Sequence, residues 1–111
     1  MSYKEPAPID ISEAKAYIAS GTPSQIADAL LRASLSDVDP MWVETACLQS
    51  LERPELEVRW AAMTALGHLA RRYRQLDVHT VLTALDPLRK EPALSGKVDD
   101  VLDDIAMYIK S

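Results

Sequence analysis

The residue types able to do chemistry are few in this chain, and their spacing does not suit it. Cys47 is the only cysteine and His68 and His79 are the only histidines, so a nucleophile has no base at a legible spacing and a zinc site has too few ligands. Gly21, Gly67 and Gly96 stand alone rather than in a loop that could cradle phosphate. Asp99, Asp100, Asp103 and Asp104 form a continuous acidic arc. Ca²⁺ or Mg²⁺ needs oxygen ligands converging from a loop or from several elements, whereas four aspartates fanned around one helix diverge. These patterns predict no catalysis, no metal and no cofactor. Trp60 and Arg71 suit a different chemistry, because a large aromatic beside a guanidinium is the composition of a protein-interface hot spot.

The elements that must position these residues are helical. Residues 1–11 carry Pro6 and Pro8 without apolar periodicity and predict an extended, partly mobile arm. A first helix starts after Asp10 or Ser12 and stops at Gly21. Thr22-Pro23 and Asp39-Pro40 each pair a capping side chain with a proline at the first helical position, which starts helices at about 23–35 and 40–53. Pro54 breaks the third helix. Glu55 and Glu57 open the fourth and Arg71, Arg72 and Arg74 close it, both in the sense of the helix dipole. A fifth helix is expected over about 77–90, kinked at Pro87, and a sixth over 97–110 after a breaker at Pro92 to Gly96. No segment alternates with period two, so the fold class is all-α.

Composition agrees with one small α-helical domain over residues 1–111. The chain is 48% hydrophobic, enough for a single core. No apolar run approaches the roughly 18–20 residues of a membrane span, and the N-terminal residues lack a secretory pattern. Cytoplasmic residence without membrane contact is the expectation, with Cys47 as plain core. Seventeen acidic against twelve basic residues leave a net charge of −5, a field that repels nucleic acid and favours basic partners.

Residues Val58 to Ala70 read V-R-W-A-A-M-T-A-L-G-H-L-A. This stretch resembles the second helix of a HEAT-type helical repeat, where V-R-x-x-A-x-x-A-L-G-x-L turns branched residues inward and uses small ones for close helix approach. The branched start recurs at Ile26 and Val98; position 58 follows 26 by 32 residues, and 98 follows 58 by 40, near the period of two-helix repeats. The resemblance is close only over about 41–73, and Asp99 stands where the pattern has Arg59. It implies a short right-handed HEAT-like stack of about three helical hairpins with atypical ends.

At about 100° per residue, Val58, Ala62, Ala65, Leu66, Leu69 and Tyr73 fall on one side of the fourth helix, and Trp60, Thr64, Gly67 and Arg71 on the other. The resemblance places that second ridge on the concave face. Register carries it to Asp100, Asp104 and Met107 in the sixth helix and to Asp28, Arg32 and Leu35 in the second. Asp99 and Asp103 are assigned to the side where a further repeat would stack. The partner-binding set is then Trp60, Arg71, Asp100, Asp104, Met107 and Asp28. A small, acidic, HEAT-like chain looks like the immunity proteins of bacterial toxin systems, which implies a monomer before complex formation that covers the active site of a basic, nuclease-type toxin. A HEAT-type scaffold or regulatory subunit is the alternative. A HEAT-like DNA-repair enzyme would need a basic groove, which the acidic ridge opposes.

Overall fold

Capping side chains set the starts of four helices. In the computed structural model, which describes residues 7–110, α1 (Ile11–Ser20) is capped by the Asp10 carboxylate accepting the Glu13 amide at 2.8 Å. α2 (Pro23–Leu35) begins with a capping box in which Thr22 and Gln25 each accept the other's amide. Asp39 caps α3 (Pro40–Ser50) and Asp77 caps α5 (Val78–Leu85). α4 (Leu56–Tyr73) ends where Arg74 takes a left-handed conformation, φ 53°, and donates its amide to the Ala70 carbonyl. A 3₁₀ turn (Asp86–Lys90) and α6 (Pro92–Tyr108) complete the described chain.

Three boundaries differ from those expected. α3 stops at Ser50 rather than Arg53, because the Glu52 and Arg53 amides tighten onto the Gln49 and Ser50 carbonyls ahead of Pro54. The fifth helix ends at Leu85, and the chain winds into the 3₁₀ turn around Pro87, which has no amide to continue an α-helix. The expected breaker at Pro92 to Gly96 is the first turn of α6. Pro92 sits at a helix start, where its missing amide costs nothing, and the complete burial of Leu94 holds the turn in place.

The helices pair as α1/α2, α3/α4 and α5/α6, with α2, α4 and α6 side by side and α4 in the middle, packed against α2, α3 and α6. The result is an all-α, short helical stack, with no strand among the described residues. Buried alanines on both partners, Ala29 and Ala33 from α2 and Ala61, Ala62 and Ala65 from α4, permit the close approach of this most extensive helix pair. Val58, Ala62, Ala65, Leu66 and Leu69 occupy the core as expected. Tyr73 does not: it lies in the last turn, 36% exposed, with the Arg72 guanidinium over its ring. Cys47 is fully buried, and desolvation, with Glu44 nearby, raises its thiol pKa far above the usual range.

Over its described residues the N-terminal arm is extended and docked on the end of α2. Ile9 is buried, its amide donates to Ser36 Oγ at 3.1 Å, and Arg32 donates to the carbonyls of Ala7 and Pro8 at 2.8 and 3.0 Å. The rest of the expected arm, residues 1–6, lies outside the described residues.

Replacing Leu66, fully buried in the middle helix, with alanine is expected to cost about 2–5 kcal/mol through lost transfer energy and the cavity left behind. Leu82→Ala, at a 40% exposed position of α5, should cost well under half of that; urea unfolding of the two variants side by side measures the difference.

Candidate functional site

The ridge of α4 that faces away from the core separates two grooves. Between α2 and α4, Ala27, Leu31, Leu56, Glu57, Trp60, Ala61 and Thr64 line an open, mostly apolar depression of about 390 Å³. Between α4 and α6, Thr64, Arg71, Lys97, Asp100, Asp103 and Asp104 line a charged one of about 310 Å³. Thr64 borders both. The three second helices of the hairpins thus present one continuous face, apolar on one flank of α4 and ionic on the other.

Trp60 is fixed in this face rather than loosely exposed. Its indole nitrogen donates to the Ala93 carbonyl at 3.2 Å, and Lys97 Nζ lies 5.3 Å from the ring centroid, yet 45% of the residue remains accessible. It therefore covers the start of α6 and still offers aromatic surface. One residue earlier, Arg59 forms a bidentate pair with Glu91, at 2.6 Å for the shorter contact, joining α4 to the residue before α6. This pairing ties down the elements that flank the tryptophan.

Arg71 and Asp104, both singled out from the sequence, pair with each other at 2.8 Å. Gly67 makes room for this contact: a Cβ there would stand 2.5 Å from Asp104 Oδ2. Gly67 is accordingly buried under the ion pair instead of open on the ridge, a correction to the expected face. The wheel places it correctly; the neighbouring helix covers it. Asp100 and Asp103 line the same groove and form no ion pair among the described residues. The expectation that Asp103 lies on the stacking side of α6 does not hold, since three residues along a helix turn it only about 60° from Asp100 and it lines the groove.

The remaining expected residues lie outside the grooves. Asp28 is exposed on α2 and bridges to Arg32 at 3.2 Å. Met107 is 69% exposed on α6 and lines neither groove. The apolar groove residues Ala27, Leu31 and Leu56 were not singled out from the sequence. Their signal was present, since Ala27 and Leu31 are apolar positions of α2 one residue beyond its core positions Ile26 and Leu30. Trp42 packs against the core and borders a separate cleft between α1 and α3.

His68 lies behind the ridge, against α2. The Ser34 hydroxyl lies 2.7 Å from the Leu31 carbonyl and is hydrogen-bonded to His68 Nδ1 at 2.9 Å. Among the described residues, no three His, Cys, Asp or Glu side chains converge to hold a metal ion. No described helix is long and apolar enough to cross a membrane.

The fold and its two-groove face define a small all-α protein built on a three-helix layer. No family model matches the chain, nor does any curated protein. Among solved structures it is similar to a chain in the crystal structure of a CDI complex from Cupriavidus taiwanensis LMG 19424, with 36% identity, 97% of each chain covered and a TM-score of 0.80. At that identity and coverage, this chain belongs to the same family as that member of the CDI complex.

Burial, the positive charge of Arg71 and that of Lys97 push the His68 pKa below its ordinary 6.5, against a smaller opposing effect of Asp104. Above about 6.5 neither state binds this proton; below it the unfolded chain takes it up first. Stability should therefore fall as pH drops from about 6.5 through the folded-state value. His68→Gln should flatten that segment of the stability curve measured by denaturation between pH 7 and 5.

Proposed function

We propose that this chain is an immunity protein of a contact-dependent inhibition system, binding and neutralising a cognate toxin domain. The observation that carries this reading is the 36% identity over 97% of both chains to a member of a CDI complex. Conservation of the whole chain length, rather than of one helix, supports a shared partner type as well as a shared fold. The α2–α4–α6 layer is the inner layer of a HEAT-like stack in this reading, and its exposed face is the binding surface.

Neutralisation needs no chemistry from the immunity protein. Covering the toxin's active site excludes its substrate, and charge complementarity speeds the encounter. The toxin is basic and of nuclease type: an enzyme that binds phosphates carries positive charge at its site, and this chain has a net charge of −5 with Asp100 and Asp103 in its groove. Trp60 provides the central apolar contact. The protein acts in the cytoplasm as a monomer until it meets the toxin, without nucleic acid, membrane or cofactor.

The test is a titration of the purified chain with the toxin domain encoded beside it. A complex in the nanomolar range is expected, and Trp60→Ala should weaken it at least about tenfold, as truncation of an aromatic anchor does, while helical content by circular dichroism is unchanged. Absence of binding by the wild-type chain at micromolar concentrations would rule out the immunity reading.

A further inference from the structure

We infer that the two grooves form one bipartite receptor for a single segment of the toxin, which seats a bulky apolar side chain between α2 and α4 and a lysine or arginine between α4 and α6. This rests on the immunity reading and names what that reading leaves open, the chemistry of the contacting segment. Three observations support it. The apolar groove has Leu31, Leu56 and Trp60 in its walls, and Leu56 and Trp60 are 49% and 45% exposed. The neighbouring groove contains three aspartates; Arg71 pairs with Asp104 and Lys97 sits over Trp60, and among the described residues Asp100 and Asp103 have no ion-pair partner. Thr64 lines both grooves, so one molecule crossing α4 enters both.

The geometry restricts the segment further. Grooves on either side of one helix lie about 8–10 Å apart, the usual spacing of packed helices. That span is about three residues of extended chain or two turns of helix. Extended chain alternates its side chains between faces, so the matching toxin segment is an apolar residue with a basic one two or four positions away when extended, or seven away on a helix. Trp60, anchored through Ala93 and Lys97, is a prearranged wall and loses little side-chain freedom on binding.

Stopped-flow association with the cognate toxin domain over a range of salt concentrations separates the two grooves. Leu56→Glu places a charge at the mouth of the apolar groove in the first turn of α4, where the helix dipole tolerates it. It should raise the dissociation rate at least tenfold, while its added negative charge keeps association with a basic segment at least as salt-dependent as in the wild type. Asp100→Lys with Asp103→Lys, both at exposed positions, should slow association at least tenfold at low salt and flatten its salt dependence. If the wild type binds and either variant keeps wild-type kinetics, the bipartite receptor is overturned while the immunity reading stands. No binding by the wild type removes the immunity reading itself. A wild-type dimer in sedimentation that Leu56→Glu dissociates would assign the groove to a second copy of the chain and overturn the proposal.

Discussion

The structure depends on the burial of α4 on three sides at once. A helix packed against α2, α3 and α6 has only a narrow strip left for solvent, so its composition is constrained almost all round. Large buried residues, Val58, Met63, Leu66 and Leu69, alternate with Ala61, Ala62, Ala65 and Ala70. The small ones set how near the neighbouring helices come, and the large ones fill the space that remains. Everything offered to a partner is the residue of that packing problem: the ridge at Trp60 and Thr64, and the grooves where two helix surfaces curve apart.

Five of the seven arginines are engaged within the molecule, and this shapes the character of the surface. Arg59, Arg71 and Arg53 pair with Glu91, Asp104 and Glu55. Arg32 holds the docked N-terminal residues, and Arg72 donates to the carbonyls of Ser34 and Ser36 at the end of α2. Arg72, bound to main-chain carbonyls, fastens the chain without cancelling an acid, whereas Arg32 also bridges to Asp28. The carboxylates left over, Asp100 and Asp103 among them, therefore weigh more at the surface than the net charge alone conveys.

Helix starts and the core were legible in the sequence because they are local problems. Thr22-Pro23 and Asp39-Pro40 carry their own capping chemistry, and Val43, Cys47 and Leu51 follow helical periodicity into the interior. The start at Pro92 was not legible because proline both ends and begins helices, and the burial of Leu94 that decides between them is a property of the packed core. The ridge was legible through Trp60, Arg71, Asp100 and Asp104, which the fold brings to one face. Its grooves were not, since a depression belongs to two helices and neither wheel shows it. Nor could the wheel reveal that Gly67 is roofed by Asp104.

The outer helices are attached less widely than the inner layer. α1 packs chiefly on α2, and α5 on the 3₁₀ turn and α6, whereas α4 joins α2, α3 and α6 together. Sub-global opening follows the weakest attachments. Such a hierarchy would let α1 fray and reclose while Trp60, Thr64, Asp100 and Asp103 keep their relative positions, since none of them lies on an outer helix. Recognition is thereby insulated from breathing at the periphery, and substitutions that drift through α1 or α5 can change the opening rate of the molecule without rewriting the surface it offers.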